Sequence, residues 1–243
     1  MIIAGLQKST LIDFPGKIAC IVFLAGCNFR CPWCYSSELV LPLKIVTQPR
    51  FSEKEVLDFL RTRKGLLDGV VICGGEPTIN KDLGLFLEKI KELGFAIKLD
   101  TNGSNPKILK DLTDRRLIDY VAMDIKAPRA LKSEARNPKS EIYEKIMEDG
   151  VKMEDIEESV EFLKNGRLDF EFRTTCVPGV HKKEEFLDIA KWIGGKNVKY
   201  YLQSFVSQKT IDPAFLGVKP FKDKFLQDVS KEISPYFLSC QLR

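Results

Sequence analysis

The sequence predicts an α/β fold in which parallel strands alternate with helices. Short β-branched and apolar segments alternate with amphipathic segments of helical periodicity along the 243 residues. This alternation implies parallel pairing with right-handed crossovers. The composition, 44% hydrophobic and 30% charged, is that of a globular protein with a sizeable core. Since no repeat, low-complexity segment or linker interrupts the pattern, we expect one domain. Periodicity leaves open whether the sheet is doubly wound or a partial barrel.

The predicted elements are six strands separated by helices. The strands are expected at residues 17–24, 69–73, 96–99, 120–123, 169–175 and 198–205. Helices are expected after a capping box at 52–55, between a cap at Asn80 and a stop at Gly94, from Pro106 onward, and over 155–164, 182–193 and 221–233. Residues 128–150 are charged and irregular, which predicts a surface loop with a short helix.

Charge and hydropathy argue against several classes of protein. The net charge of +4, from 38 basic and 34 acidic residues, argues against a broad basic face for a nucleic-acid partner. No apolar run reaches the roughly 18 residues of a membrane span, and the first 11 residues lack the pattern of a signal peptide. We therefore expect a cytoplasmic protein without a membrane partner.

Three of the seven cysteines lie within eight residues, directly after the first predicted strand. In parallel α/β folds, ligands bind at the carboxyl ends of the strands. Three thiolates on one loop can each bind one iron of a [4Fe-4S] cubane, which leaves one iron open for a non-protein ligand. The three are Cys27, Cys31 and Cys34. The other four have mostly apolar neighbours and are expected to be structural: Cys20, Cys73, Cys176 and Cys240.

The cysteine loop has two alternative interpretations. A structural zinc site needs a fourth ligand, but the only histidine, His181, is far along the chain and there is no second Cys-x-x-Cys. The segment Cys31-Pro32-Trp33-Cys34 is also typical of a thioredoxin-like redox pair, but this function leaves Cys27 unexplained.

Further candidates follow the later strands. Gly74, Gly75 and Glu76 come after the second strand, where two glycines allow close approach of backbone to a ligand, and Glu76 can accept a hydrogen bond from an ammonium group. Each candidate also has an ordinary interpretation as a turn, a solvated ion pair or a core residue. The remaining candidates are Asp100, Asn102, Asp124, Lys126, Arg173 and Phe205.

The spacing Cys-x3-Cys-x2-Cys, with aromatic Trp33 before the last cysteine, resembles the radical S-adenosylmethionine (SAM) superfamily. The resemblance implies that the open iron is chelated by the amino and carboxylate groups of SAM. An electron from the cluster then breaks a carbon–sulfur bond, which gives methionine and a 5′-deoxyadenosyl radical that abstracts hydrogen. The resemblance also implies that Gly74, Gly75 and Glu76 hold the SAM amino group, and that Trp33 and Tyr35 lie near adenine. Packing of the loop is the alternative role for these two aromatic residues.

Other motifs resemble the glycyl-radical enzyme activating enzymes, which convert one glycine of a partner enzyme into a glycyl radical. Residues 100–103 (Asp-Thr-Asn-Gly) and 123–126 (Met-Asp-Ile-Lys) are similar to motifs of the pyruvate formate-lyase activating enzyme. There the matching aspartates lie by SAM and help to bind a monovalent cation, and the matching lysine lies near the SAM carboxylate and the incoming glycine loop. Residues 173–179 resemble that family's arginine strand, which ends in Val-Pro-Gly. Residues 11–17 are most similar to the anaerobic ribonucleoside-triphosphate reductase activating proteins.

The resemblance implies a partial (β/α)6 barrel of the radical SAM type, in one domain of residues 1–243 with a core at about 17–206 and a C-terminal helix and tail at 207–243. It implies a [4Fe-4S] cluster and SAM as cofactors. The implied partners are a glycyl-radical enzyme, above all anaerobic ribonucleoside-triphosphate reductase, and a flavodoxin or ferredoxin as electron donor. The predicted catalytic residues are Cys27, Cys31, Cys34 and Lys126. The predicted cofactor-binding residues are Trp33, Cys34, Tyr35, Gly74, Gly75, Glu76, Asp100, Asn102, Asp124, Lys126, Arg173 and Phe205.

The chain also departs from parts of that family. It lacks the cysteine-rich ferredoxin-like insertion and the cysteine-rich C-terminal extension of some activating enzymes, so we expect a single cluster. Phe205 stands near a position that can hold histidine, so its contact with adenine would be stacking. Two other functions stay open: a radical SAM enzyme acting on a small molecule or RNA, and an iron–sulfur electron carrier. The Gly-Gly-Glu-Pro turn has no purpose in an electron carrier.

Overall fold

The computed structural model describes residues 1–129 and 141–243. Within them the strands are β1 (Ile3–Thr10), β2 (Ala19–Leu24), β3 (Gly69–Gly74), β4 (Ala96–Thr101), β5 (Tyr120–Asp124), β6 (Asp169–Cys176), β7 (Gly195–Ser204) and β8 (Phe237–Leu242). The α-helices are α1 (Ser37–Val40), α2 (Pro42–Ile45), α3 (Glu53–Arg61), α4 (Leu83–Glu92), α5 (Pro106–Asp114), α6 (Glu141–Ile146), α7 (Met153–Asn165), α8 (Lys183–Ile193) and α9 (Asp223–Ile233). In the described ranges none of these helices has the length and apolar character needed to span a membrane.

The strands lie in the sheet in the same order as in the chain, from β1 to β8. Strand β1 pairs antiparallel with β2. The pairs β2–β3, β3–β4, β6–β7 and β7–β8 are parallel. A doubly wound sheet reverses its strand order at a switch point, whereas a barrel winds in one direction without reversal. The unreversed order resolves the question that periodicity left open, and the predicted α/β fold is confirmed.

The central strands are apolar because both faces of a parallel sheet are covered. In β2 every residue except Phe23 is buried, and in β3 the first four residues are buried. The pairing places Val22 opposite Ile72 and Leu24 opposite Gly74. Side chains such as Val22 and Ile72 have no exposed surface. This apolar pairing sets the register in which the residues after β2 and β3 leave the sheet.

The capping box before α3 is confirmed. The backbone N–H of Glu55 donates to the Ser52 hydroxyl at 3.2 Å, and the backbone N–H of Ser52 donates to the Glu55 carboxylate at 2.7 Å. The start of α5 at Pro106 is also as predicted. At Ser52 the signal is reliable because its side chain satisfies an N–H group that has no partner within the helix. At Pro106 it is reliable because proline has no N–H to satisfy and its fixed φ suits the first helical position.

The predicted cap at Asn80 is wrong. Asn80 instead ends the 3-10 turn Pro77–Ile79, where its side-chain amide donates to the Pro77 carbonyl at 3.1 Å. Helix α4 begins at Leu83, with Asp82 at its N-cap. A side chain that can cap a helix can equally bond within a turn, and here the turn after Pro77 competes successfully for it.

Strands β1 and β8 were not predicted. They lie at the two ends of the sheet order and are partly exposed, so neither shows a continuous apolar run. Helices α1 and α2 have four residues each, which is too short to show a helical period. The short helix expected within 128–150 is present as α6. The part of that predicted loop at 130–140 lies outside the described residues.

The chain forms two compact units. The first unit comprises residues 1–28, 36–101 and 105–122, and the second comprises residues 29–35, 102–104 and 123–243. Part of the core of the first unit is a cluster of Phe14, Ala19, Ile21, Val71 and Tyr120. In the second unit the Tyr200 and Phe237 rings lie 4.8 Å apart. The single-domain division with a core at 17–206 and a tail at 207–243 stays a prediction.

Candidate functional site

In the first unit the Gly-Gly-Glu turn packs directly on the backbone that leads into the cysteine loop. A Cβ atom added to Gly75 would fall far inside contact distance of the Gly26 carbonyl, and one added to Gly74 would clash with the backbone of Leu24. The backbone N–H of Glu76 donates to the Gly26 carbonyl at 2.8 Å. The two glycines therefore allow close approach of this turn to the residue before Cys27. We had expected these glycines either to let backbone approach a ligand or to form an ordinary turn, and the contact with Gly26 was not predicted.

Glu76 is fully buried, and its carboxylate fixes the end of the turn. Its Oε1 accepts hydrogen bonds from the backbone N–H of Thr78 at 3.1 Å, the Thr78 hydroxyl at 2.6 Å and the Thr101 hydroxyl at 2.7 Å. Through Thr101 the carboxylate ties the turn after β3 to the end of β4. Its contact with the SAM amino group stays a prediction.

Asp100, also at the end of β4, is paired with a lysine that the sequence analysis missed. The Lys98 ammonium lies 2.5 Å from Asp100 Oδ1, and the Lys98 side chain is 1% exposed. Residues two apart on a strand point to the same face. The lysine within the apolar strand Ala96–Thr101 could therefore have predicted an ion pair between Lys98 and Asp100. Since a charged amine is buried only when it is paired, Lys98 fixes the position of the Asp100 carboxylate.

In the second unit the last two loop cysteines are joined by a tight turn. The backbone N–H of Cys34 donates to the Cys31 carbonyl at 3.0 Å. Cys31 is buried and Cys34 is half-buried. Burial raises the pKa of the Cys31 thiol to about 12, and the Lys126 ammonium opposes this rise. A thiol that binds metal does so as the thiolate, so a neighbouring cation favours the ligand form.

Lys126 belongs to an ion-pair group formed with Asp124 at the end of β5 and Arg173 within β6. Its ammonium lies 3.0 Å from Asp124 Oδ2, and Arg173 Nε lies 2.9 Å from Asp124 Oδ1. Burial opposes ionisation of Asp124, but the charges of Arg173 and Lys126 outweigh it and lower the pKa of this carboxyl to about 2. Burial also opposes the charge on Lys126, but Asp124 and the Cys31 thiol outweigh it and raise the pKa of the lysine well above its ordinary value. The group is therefore ionised at neutral pH.

His181, which the sequence analysis used only to argue against zinc, is part of this region. It is 2% exposed. Its Nδ1 accepts a hydrogen bond from the Val177 backbone N–H at 3.0 Å, and its Nε2 lies 2.9 Å from the Lys126 carbonyl. Burial lowers the pKa of the imidazole. The sequence carried no signal for this contact, because 55 residues separate His181 from Lys126.

The predicted aromatic contacts have different environments. Trp33 is 6% exposed, with its ring packed edge-on against Phe215 at 6.2 Å and His181 at 6.3 Å. Phe205 is 2% exposed and lies 6.4 Å from the Phe215 ring. Tyr35 is 58% exposed. This geometry favours the packing alternative for Trp33 over direct stacking on a ligand, and the adenine contacts stay predictions.

A segment beyond the predicted core also contacts the cysteine loop. The backbone N–H of Asp212 donates to the Pro32 carbonyl at 2.9 Å, and Phe215 of the same segment packs on Trp33.

Asn102 is buried, and its side-chain oxygen accepts from the Ser104 N–H at 2.9 Å, which is the turn role that the sequence allowed as an alternative. This hydrogen bond fixes the turn on which Asn102 lies.

The structure thus brings together two sets of predicted residues. In the first unit, Gly74, Gly75 and Glu76 form one turn at the start of the cysteine loop. In the second unit, Cys31, Cys34, Asp124, Lys126 and Arg173 interact electrostatically. Cys27 belongs to the first unit and is half-buried. In residues 1–129 and 141–243, no three His, Cys, Asp or Glu side chains are gathered around a point that could hold one metal ion. A cubane has a different requirement, because each thiolate binds a different iron.

We expect Asp124→Asn to weaken the fold in a pH-dependent manner. The folded pKa of about 2 lies below the ordinary 3.8, so the ionised carboxylate stabilises the folded state above about pH 4 and its contribution is lost as the pH falls toward about 2. The loss in free energy of unfolding should be on the order of 2 kcal/mol near neutrality and should shrink in acid. Urea unfolding at a series of pH values measures it. Asp114→Asn, at an exposed position, controls for loss of one negative charge. A difference that stays constant down to about pH 3 would contradict this ion-pair account.

We expect Gly75→Ala to lower both the thermal stability and the iron content after anaerobic reconstitution. The added Cβ would overlap the Gly26 carbonyl, so the backbone before Cys27 would have to move. Gly84→Ala is the matched control, because its Cβ would meet the flexible end of Arg115 and alanine favours a helix. If Gly75→Ala retains the cluster and melts with the wild type, the turn does not position the loop.

Comparisons with known proteins agree with these features. Residues 21–193 match the family model of the radical SAM superfamily. A protein of Methanocaldococcus jannaschii, named provisionally as a glycyl-radical enzyme activating enzyme, is 32% identical over 246 residues, which cover 100% of this chain and 95% of that protein. The 7-carboxy-7-deazaguanine synthase of Thermococcus kodakarensis is 31% identical over 136 residues, which cover 49% of this chain and 53% of that protein.

Solved structures show the same fold at low sequence identity. SuiB of Streptococcus suis, bound to the precursor peptide SuiA, has a TM-score of 0.66 at 15% identity, covering 92% of this chain and 48% of SuiB. QueE from Escherichia coli has a TM-score of 0.56 at 15% identity, covering 100% of this chain and 93% of QueE. The family match spans most of the chain, with the cysteine loop, the Gly-Gly-Glu turn and the Asp124–Lys126–Arg173 group all inside it, and the chain therefore belongs to the radical SAM superfamily.

Proposed function

We propose that this chain is an activating enzyme that reductively cleaves SAM at a [4Fe-4S] cluster and generates a glycyl radical on a partner enzyme, anaerobic ribonucleoside-triphosphate reductase being the expected one. Members of the radical SAM superfamily bind these two cofactors. The observation that carries the proposal is the Lys126 ammonium beside the thiols of the cysteine loop, held by the Asp124 carboxylate at the end of β5, the strand that Lys126 follows. The full-length similarity to a protein provisionally named as an activating enzyme supports this subtype.

The residues of the loop fit the cluster. Cys27, Cys31 and Cys34 supply three thiols within eight residues. The Lys126 charge favours the thiolate of Cys31, and the turn between Cys31 and Cys34 fixes two of the thiols relative to one another. When bound, the cluster supplies the electron that cleaves SAM, and the fragment formed abstracts hydrogen from the substrate. A flavodoxin or ferredoxin is the expected source of the electron.

The strand ends would bind SAM by complementary charge. Backbone carbonyls of the Gly74–Gly75 turn would accept hydrogen bonds from the SAM amino group. Glu76 fixes that turn by accepting hydrogen bonds from Thr78 and Thr101. The cations of Lys126 and Arg173 would face its carboxylate. Asp124 holds both cations in place, so it sets the geometry of an anion-binding group without needing to touch the ligand.

The glycine loop of the partner would meet the same lysine. A reactive radical abstracts almost any nearby hydrogen, so the substrate has to be held at contact distance with water excluded. Glycine suits a narrow opening, because it has no side chain and its backbone adopts unusual dihedral angles. The Lys126 ammonium has three N–H donors, one of which bonds to Asp124 Oδ2 at 3.0 Å. An ammonium group in this place can donate to the carbonyl of an incoming backbone as well.

A second candidate is a radical SAM enzyme acting on a small molecule. It is favoured by the similarity of half the chain to 7-carboxy-7-deazaguanine synthases and by the fold similarity to QueE over the full chain. The two candidates share the cofactors and differ in the substrate. They are distinguished by whether SAM consumption needs a partner protein or proceeds with a small molecule in multiple turnovers.

We expect Cys27→Ala, Cys31→Ala and Cys34→Ala each to abolish cluster binding, measured as iron content and the visible absorbance after anaerobic reconstitution. The wild type should hold about four irons per chain. Cys73→Ala and Cys240→Ala are matched controls, because these thiols are also half-buried and should leave the iron content unchanged. Loss of the cluster in Cys73→Ala, with Cys27→Ala unaffected, would disprove the ligand assignment.

We expect the reduced protein with SAM to produce a glycyl-radical signal, detected by electron paramagnetic resonance, on anaerobic ribonucleoside-triphosphate reductase from the same organism. Lys126→Ala should lower the radical yield at least about tenfold and lower SAM affinity less, because binding SAM and positioning glycine are separable tasks. Lys145→Ala, which removes the same charge from an exposed position, is the control. If no glycyl-radical enzyme gives a signal while a small molecule drives SAM turnover, the activating function fails and the second candidate stands.

A further inference from the structure

We propose that His181 is a positioning residue that fixes the main chain of Lys126 and thereby aims its ammonium group at the reacting centre. This inference rests on the proposed function in one respect, the role of Lys126 toward SAM and the substrate. The hydrogen bonds that define the role of His181 lie in the protein itself.

The hydrogen bonds of His181 determine its tautomer. The Val177 backbone N–H can only donate, so Nδ1, 3.0 Å away, carries no proton. The Lys126 carbonyl can only accept, so Nε2, 2.9 Å away, carries the proton. The ring is therefore neutral with its hydrogen on Nε2. Burial, which disfavours the imidazolium, agrees with this state.

A second side chain, that of Tyr143, fixes the backbone N–H of Lys126. The Tyr143 hydroxyl accepts a hydrogen bond from the Lys126 backbone N–H at 3.0 Å. Tyr143 is 2% exposed and its ring packs edge-on against Phe29 at 6.3 Å. Both peptide groups that flank the Lys126 Cα are thus held by buried side chains. Two fixed peptide planes fix the direction of the Cα–Cβ bond, from which the lysine side chain starts.

The imidazole is itself held on several sides. Its backbone N–H donates to the Val177 carbonyl at 2.9 Å, which closes the turn after β6. Its ring lies 5.4 Å from the ring of Phe186 and 6.3 Å from that of Trp33. Trp33 lies between Cys31 and Cys34 in the chain. One side chain therefore joins the turn after β6, the cysteine loop and the backbone of Lys126, which is the arrangement needed to hold the lysine at a set position relative to the thiols.

A satisfied core histidine without a functional role is the alternative, and two isosteric substitutions separate it from positioning. In His181→Asn the amide oxygen replaces Nδ1 and keeps the bond to Val177, but nothing reaches Lys126. In His181→Gln the longer amide can donate to the Lys126 carbonyl in place of Nε2, but the Val177 N–H loses its acceptor. Each variant keeps one of the two hydrogen bonds and removes the other.

The two variants should differ in activity more than in stability. We expect both to melt below the wild type, because each removes the packing of the imidazole ring and leaves one backbone group without its partner. His181→Asn should also form 5′-deoxyadenosine more slowly by a factor on the order of five to ten, which corresponds to one hydrogen bond, whereas His181→Gln should keep the wild-type rate within about twofold below its melting temperature. Tyr143→Phe, which removes the second anchor, should resemble His181→Asn. Losses of activity that follow the losses of stability in all three variants would overturn the positioning role.

An independent measurement does not involve SAM. Because the chain has one histidine, the ¹⁵N spectrum of the imidazole in the protein with its cluster oxidised reports His181 alone. We expect the shifts of the neutral ring protonated at Nε2. The imidazolium, or a ring protonated at Nδ1, would overturn the proposal whatever the enzyme does. If the ring has the expected tautomer and Lys126→Ala gives the wild-type yield of glycyl radical on the partner, the function proposed for Lys126 fails. The geometric role of His181 is then judged by whether the ammonium leaves Asp124 in a crystal structure of His181→Asn.

Discussion

The second unit depends on the charge balance around the Lys126 ammonium. Taking a cation out of water is costly unless anions and hydrogen-bond acceptors replace the lost hydration. Asp124 provides the anion at 3.0 Å and is itself shared with Arg173 at 2.9 Å. Asp124 therefore holds two cations, one just after β5 and one within β6. The charge on Lys126 favours the thiolate of Cys31 in the cysteine loop of the same unit. Under the proposed function the same two cations also face the carboxylate of SAM.

The first unit uses backbone packing, not charge, to place its part of the site. The absence of side chains at Gly74 and Gly75 lets one turn touch the main chain beside Leu24 and Gly26. The turn then gains a hydrogen bond from Glu76 N–H to the Gly26 carbonyl. A fully buried carboxylate would be unstable without partners, and Glu76 has three donors on one oxygen. Glycine is thus required here because two backbone segments of the same chain pack against each other, whatever ligand the turn also binds.

Features that depend on neighbours in sequence could be predicted, and features that depend on distant neighbours could not. The apolar strands, the capping box at Ser52 and the start of α5 at Pro106 follow from local patterns, and the strand-end location of Asp124 and Lys126 follows from the parallel order. His181 was judged by the count of histidines, which says nothing about its contact 55 residues away. Trp33 was expected to lie near adenine or to pack the loop, and its contacts with rings distant in the sequence, which no local pattern indicates, favour packing. Edge strands β1 and β8 were missed because partial exposure removes the apolar signal.

The cysteines show why burial alone does not define the site. Burial raises the pKa of Cys20, Cys31 and Cys176 to about 12 in each case. If burial alone mattered, these three cysteines would be equally poor metal ligands, because burial favours the thiol over the thiolate that binds metal. Cys31 differs in its surroundings, since the Lys126 ammonium lowers its pKa and a second thiol, Cys34, follows three residues later in a closed turn. A cation beside a set of thiols favours their thiolate forms, because it offsets the negative charge that the set would accumulate. The cysteine motif and the lysine at the end of β5 are therefore two parts of one electrostatic requirement.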